Sequence, residues 1–494
     1  MDKAILIAIM NRRLLWISLA SILGQATCLI SVVPQQYDTI VIGLGSAGTT
    51  AASTLARAGK RVLALEAQDR IGGRVWTVPF GDGLVEVGGE WIHGTKDSRV
   101  YEQAIKNNIS AILQETTLKV YKSDGSEGNA DLFEELVTFC LEAQDDPPET
   151  PQTIGKFLTR KLKDYLKEKH PHLLQDEAFL NEFLEIMNYI SNSLEAANDW
   201  DDVSLQTTNV DLVGYKTMSW HRHGYKTFFE LLLNTYNNGP GLPTLEIKLN
   251  TEVTQIKWPK DSTGKVEVVC KDGAVYTADN VIVTVSLGVL KERYSTLFSP
   301  PLPEEKVTAI NKLGFGVVGK TIFSFSEPWW PDVMTFFFFW NPEDREAYKE
   351  DPWMLKIKQV LRPMGSSNTL TFWANGDQAK LIETLPEDVV KSKMMQLLQR
   401  FMGKNMTIPE PTGMIRSKWY SNPFTRGCYS HDTVPQMVEY PNARATLAEP
   451  LLDAEGSPKV LFAGEASETK RFATVHGASD SGLREARRLL SSKA

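Results

Sequence analysis

Residues 37–68 read YDTIVIGLGSAGTTAASTLARAGKRVLALEAQ, and the order of residue types in this stretch decides the fold. Thr39–Ile42 is a run of β-branched residues, the pattern of a short buried strand. Gly43-Leu-Gly45-Ser-Ala-Gly48 opens a small-residue helix that closes near Gly59; Arg61–Leu65 predicts a second strand, with Glu66 at its end. Gly43 permits a tight turn, Gly45 lets the backbone approach a pyrophosphate, and Gly48 allows close helix–strand packing. The helix start presents free N–H groups and the positive end of its dipole to phosphate. Glu66 stands where an acid accepts hydrogen bonds from a ribose, which disfavours a 2′-phosphate there. The glycines alone would fit any glycine-rich turn. Strand, glycines, helix, strand and acid in register predict a dinucleotide site.

The bulk composition agrees with a large globular protein. The 494 residues exceed one small core, so two domains or a composite fold are expected. Hydrophobic residues make up 42% and charged ones 23%, with 61 acids against 53 bases and a formal charge of −8. That balance excludes a nucleic-acid binder and leaves room for cationic substrates. The N-terminus differs. Lys3, Arg12 and Arg13 flank LLWISLASILGQATCLISVV (14–33), a stretch free of charge. Residues 1–33 read as a signal peptide, with Gly24 and Ala26 near a cleavage position, or as an uncleaved signal anchor. The expected location is secreted or lumenal, or membrane-anchored if 14–33 remains. The sequons Asn108-Ile-Ser110 and Asn405-Met-Thr407 would be glycan acceptors on that route. Beyond Cys28, three cysteines remain (Cys140, Cys270 and Cys428), an odd count that leaves at least one thiol unpaired. No spacing suits a metal, so none is expected.

Downstream residues extend the nucleotide motif. Arg70-Ile-Gly72-Gly73-Arg74 and Glu86-Val-Gly88-Gly89-Glu90-Trp91-Ile-His93-Gly94 resemble the FAD-binding region of flavin amine oxidases, where a glycine pair and arginine approach the pyrophosphate. VLFAGE (460–465) reads as a buried strand ending in an acid, and FATVHGA (472–478) opens an apolar-periodic helix through Leu490. The resemblance implies that Glu465 contacts the ribityl chain and that Thr474 and Val475 face the flavin pyrimidine. A helix start there favours negative charge on the ring. An ordinary amphipathic C-terminal helix would not predict the strand before it. Asn250-Thr-Glu-Val253 resembles the segment whose valine holds the adenine, and NVIVTVSLG (280–288) resembles the strand returning toward the flavin.

The implied fold is α/β: a Rossmann-like (GR2-type) FAD-binding domain built from discontinuous segments, 35–100, 216–300 and 450–494. An α+β substrate domain, 101–215 and 301–449, would add a mixed sheet flanked by helices. Charged helix-period stretches at Ile154–Lys169 and Glu177–Leu194, β-rich runs at Met334–Trp340 and Thr369–Trp373, and the helical Asp388–Met402 fit it. Phe336–Phe339 would be packing or a tunnel wall.

Within the family the chain is most similar to animal polyamine oxidases. It shares their WIHG at Trp91–Gly94, a lysine at Lys320 placed beside flavin N5, the pair Trp329-Trp330, and Trp419 followed by RGCYS (426–430). Oxidation of a polyamine C–N bond is implied, with O2 as second substrate, an aminoaldehyde and shorter amine as products, and hydrogen peroxide released. Lys320 would hold a water at N5 and assist oxygen reduction, although strand lysines usually face solvent. His93 would orient the substrate; its alternative is a structural histidine. Tyr429 would form one aromatic wall. The other wall is Thr474, as in spermine oxidases and unlike monoamine oxidases. The acids Asp199, Asp201 and Asp202 would meet a polycation at a funnel mouth or simply solvate a loop. Cys428 stands where monoamine oxidases attach FAD through a thioether and polyamine oxidases carry serine. Noncovalent FAD is expected, with the thioether as alternative. A monomer or homodimer is expected. An L-amino-acid or monoamine oxidase, or a flavin-binding scaffold without turnover, are the other readings.

Overall fold

Tyr37–Ile42 is an inner strand of a nine-stranded sheet. The computed structural model describes residues 36–491, so the leader expected over 1–33 lies outside the described residues. Five strands run parallel in the order Leu245–Lys248, Val62–Leu65, Tyr37–Ile42, Val275–Val283 and Pro458–Phe462. The long strand Val275–Val283 serves two neighbours on one edge. Its second half pairs with Pro458–Phe462, and its first half pairs antiparallel with Val266–Cys270, which continues to Val253–Lys257. Three distant parts of the chain thus build one sheet. Val62–Leu65 is buried throughout, as befits a parallel strand covered on both faces.

Ser46–Arg57 and Val475–Ser491 cross on one face of this sheet. Both helices are rich in small residues at the crossing, where the Thr50 and Ser479 hydroxyls hydrogen-bond at 2.9 Å. The C-terminal helix is thereby brought against the phosphate-binding one.

The second sheet has six strands: Gly413–Arg416, Val318–Ser324, Thr369–Asn375, Gln359–Leu361, Thr335–Phe339 and Leu118–Lys122. All neighbours are antiparallel except the last pair, which makes the sheet mixed. Phe336–Phe339 packs; the four rings alternate between two cores, as a strand requires. Phe338 stacks on Phe401 at 4.3 Å with Phe336 on the same side, while Phe337 meets Phe133 at 4.7 Å and Phe339 meets Phe179 at 5.5 Å. Each ring so buried contributes about 1.5–3 kcal/mol by area.

Helices Ile154–Lys169 and Glu177–Glu195 cover the Phe337 side. Thr153 and Asp176 cap their first turns by accepting from Lys156 and Phe179 N–H. The second helix ends because Ala196 takes a left-handed conformation (φ 53°), which turns the chain and leaves Glu195 at the helix terminus. The acids after it serve the turn. Asp199 accepts from the Asp201 N–H and the Asn188 side chain, Asp202 accepts from the Asp199 N–H, and Asp201 accepts from the Thr153 hydroxyl.

Candidate active site

The first turn of the nucleotide motif is too tight for side chains. Gly43 has φ of +91°, and a Cβ on Gly48 would sit 1.9 Å from the Gly43 carbonyl oxygen. Gly45 and Gly73 face one another; a Cβ on Gly73 would lie 3.2 Å from the Gly45 Cα. The helix Ser46–Arg57 starts with no side chain capping its N–H groups and no acid in its first turn. A backbone cradle with uncapped donors fits a pyrophosphate. Glu66 is buried at the next strand's end, its carboxylate accepting from Leu44 N–H (2.7 Å) and Gln68 N–H (2.9 Å). Burial pushes its pKa up. The Thr251 N–H donates to the Glu66 carbonyl at 2.8 Å, which brings Val253 to the same end of the sheet.

A second cradle forms where the glycine pair meets the C-terminal helix. A Cβ on Gly89 would lie 3.3 Å from Val475 Cγ2, and the Ser46 hydroxyl donates to the Val475 carbonyl at 2.8 Å, so the two helix starts converge. The Thr474 hydroxyl is used within this turn: it donates to the Arg471 carbonyl (2.6 Å) and accepts from the Gly477 N–H (3.0 Å). Glu465 stands three residues beyond the strand Pro458–Phe462 and binds Arg74 at 2.9 Å, the Ser430 hydroxyl at 2.6 Å and the Ala473 N–H at 3.1 Å. Burial pushes the Glu465 carboxyl up, but Arg74, Ser430 and Arg444 outweigh it and hold it below the usual range. Arg74 also donates to the Cys428 carbonyl. Arg444, absent from the sequence expectations, is buried on Asp432 (2.9 Å), Ser430 (2.7 Å) and the Phe472 ring (3.4 Å), where it supports Ser430 beneath Glu465.

Lys320 projects from the strand Val318–Ser324 and is only 5% exposed, contrary to the usual strand lysine. Its ammonium donates to the Glu86 and Gly88 carbonyls (3.0 and 2.9 Å) and to Glu90 (2.8 Å). The Trp373 ring lies 4.8 Å from Nζ, and Trp91 stacks on Trp373 at 5.6 Å. Trp419 Nε1 donates to the Val87 carbonyl at 3.3 Å, so the segment 86–91 is held from both sides.

His93 Nδ1 is 2.7 Å from the Lys216 carbonyl and must donate to it, which leaves the Nε2 lone pair free. The His476 ring stands edge-on at 6.2 Å. Burial lowers the pKa of both rings; that of His476, with His93 and Arg471 adding to it, falls to about 3. The Tyr429 hydroxyl donates to the Ser193 carbonyl at 2.5 Å, at the end of the helix that carries Glu195, and burial pushes its pKa up. Glu195 was not singled out in the sequence. Its carbonyl accepts from His431 Nδ1 at 3.1 Å, but among the described residues its carboxylate meets no hydrogen-bond or ion-pair partner. Burial, with Asp432 and Asp211 nearby and only Arg444 opposing, pushes this carboxyl up to about 7. Local pattern gave no signal for it, since one glutamate at a helix end resembles any other.

Cys428, adjacent to Tyr429, is buried, and its thiol lies 3.1 Å from both the N–H and the carbonyl oxygen of Val318. Cys140, Cys270 and Cys428 are all unpaired.

Comparison with known proteins gives the site its family. The model of the flavin containing amine oxidoreductases matches residues 46–490. The peroxisomal N(1)-acetyl-spermine/spermidine oxidase of Bos taurus is 31% identical over 91% of this chain and 94% of its own length. The Homo sapiens protein of the same name is 31% identical over 94% of this chain and 97% of its own. A structure of a putrescine oxidase redesigned in its cofactor binding has a TM-score of 0.63 at 18% identity, covering 92% of this chain and 99% of that one, which shows a shared fold. With glycine cradles, two converging helix starts and a buried acid at each strand end, the chain belongs to the flavin-containing amine oxidoreductases.

Proposed function

We propose that the chain oxidises a C–N bond of a linear polyamine, either spermine or its N1-acetylated relatives. The observation that carries this reading is Glu195: a half-buried carboxylate with no hydrogen-bond or ion-pair partner among the described residues, at the helix end that also receives the Tyr429 hydroxyl. An unpaired buried acid is costly unless a cation joins it. The names of the relatives support the same substrate class.

The glycine cradles would hold FAD, with Glu66 the residue for its ribose and Glu465 the residue for its ribityl chain; when bound, FAD would supply the two-electron acceptor. The residues of the chain arrange the amine. Amines ordinarily hold their proton up to a pKa of about 10, and the reacting nitrogen must be neutral. Enclosure by Trp91, Trp373 and Tyr429 disfavours the charged form. His93 Nε2 accepts from the substrate N–H and orients it, while Glu195 attracts a second, still charged nitrogen. The imine so produced takes up water and splits to an aminoaldehyde and a shorter amine. The Cys428 thiol, held on Val318, supports noncovalent FAD.

The route into the secretory pathway is proposed on the uncharged stretch 14–33 behind three basic residues. Glycan on Asn108 or Asn405, read as a glycosidase-sensitive mass, tests it whether or not the leader is cleaved.

The deciding experiment is peroxide release by the purified protein with spermine, spermidine, N1-acetylspermine, benzylamine and L-leucine, beside its visible spectrum. Turnover of the polyamines is expected. Peroxide with L-leucine alone would sink the polyamine assignment.

A further inference from the structure

Lys320 is tied to one short segment of chain. Its three ammonium protons go to the carbonyl oxygens of Glu86 and Gly88 and to the Glu90 carboxylate. Only Glu90 among these carries charge in contact with it. Both side chains are nearly removed from water, at 5% and 9% exposure. Burial disfavours the charged form of an ammonium unless an anion stands beside it.

Besides Glu90, Glu86 and Cys428 are titratable groups near Lys320. Glu86 turns its carboxylate away to the Tyr225 N–H (2.7 Å) and the Thr77 hydroxyl (2.8 Å), and burial pushes it up to about 7. The Cys428 thiol is pushed up by burial to about 12. Neither stands as a contacting anion, which leaves Glu90.

We propose that Glu90 is a positioning residue for the oxygen step: its carboxylate keeps Lys320 cationic and holds Nζ against the segment Glu86–Glu90. This rests on the amine-oxidase reading above, in which oxygen is the second substrate. Reduction of oxygen to hydrogen peroxide takes up two electrons, supplied by the amine through FAD, and two protons. A fixed cation in the site offsets the negative charge that oxygen gains before both protons arrive.

The test compares the wild-type holoenzyme with Glu90→Gln, Glu90→Asp, Lys320→Met and the Glu90→Gln/Lys320→Met double variant. Flavin reduction by amine and reoxidation by oxygen are timed separately by stopped flow. Reoxidation of Glu90→Gln is expected to fall about tenfold behind wild type, because the one carboxylate in contact with Nζ is gone. Glu90→Asp, which keeps the carboxylate, restores most of the wild-type rate, and Glu90→Gln adds no further loss to Lys320→Met. A second readout is independent of turnover. The unfolding midpoint of Glu90→Gln drops, and the double variant recovers part of the loss because both buried charges leave together.

Equal reoxidation of wild type and Glu90→Gln overturns the proposal, as does an undiminished Glu90→Gln loss in the Lys320→Met background. If no amine reduces the wild-type flavin, the amine-oxidase reading falls instead. Photochemical reduction then still presents reduced flavin to oxygen, and the same comparison decides the role of Glu90.

Discussion

The thiol of Cys428 and the main chain of Val318 engage twice, the Val318 N–H donating to sulfur and the S–H donating to the Val318 carbonyl, at 3.1 Å each. Thioether formation needs a free thiolate. Burial pushes this thiol up to about 12, so almost none is ionised near neutrality. Acid precipitation of the holoenzyme is therefore expected to leave a colourless pellet and a yellow supernatant. Cys428→Ser should retain full FAD content, since the hydroxyl can make the same two contacts.

The pair Arg74–Glu465 spans the second cradle, and its loss should be felt in FAD binding. Each is charged and the carboxylate is buried, so Arg74→Ala strands Glu465 and Glu465→Gln strands Arg74. A charged hydrogen bond contributes about 1.5–3 kcal/mol, so either change should weaken FAD binding by roughly ten- to a hundredfold. Flavin fluorescence titration of the apoprotein reads this directly. Wild-type affinity in both variants would remove the pair from the cofactor site.

The same pair shows where sequence reading stops. Gly43, Gly45 and Gly48 announced their turn because phosphate binding imposes a local rule that composition and spacing reveal. The strand and helix around them followed within a residue or two, the second strand opening at Val62 rather than Arg61. Tertiary partnership leaves no such trace. Arg444 reaches Asp432 and Ser430 from a separate helix, 12 and 14 residues further along the chain. The acids at 199–202 attracted notice by being clustered, whereas the structure spends them on a turn. Glu195, alone at a helix end, has a carboxylate that meets no hydrogen-bond or ion-pair partner among the described residues.

Phe338 tests the second sheet. Its ring stacks on Phe401 and is fully buried, so Phe338→Ala should destabilise by about 3–5 kcal/mol through lost contacts and the cavity left behind. Urea unfolding followed by tryptophan fluorescence measures it. Phe338→Leu, which keeps most of the volume, should cost less than half as much.

Glu195 makes a prediction with a definite sign. Its carboxyl is raised from the ordinary 4.5 to about 7, so it is mostly neutral below that value and charged above it. Attraction for a polycation therefore grows as pH rises through about 7. The KM for spermine should fall by about tenfold between about pH 6 and about pH 8, the full ionisation range of one carboxyl. Glu195→Gln should flatten that dependence and hold KM near the wild-type low-pH value. Stability runs the other way. A folded-state pKa above the unfolded one adds stability below about 4.5 that is lost as pH rises through about 7. Relative to wild type, Glu195→Gln should thus unfold at a higher temperature above pH 7 than below pH 5, a difference scanning calorimetry can read. A variant with raised KM but an unchanged pH profile would place Glu195 in the packing of the helix end and leave the substrate cation to another group.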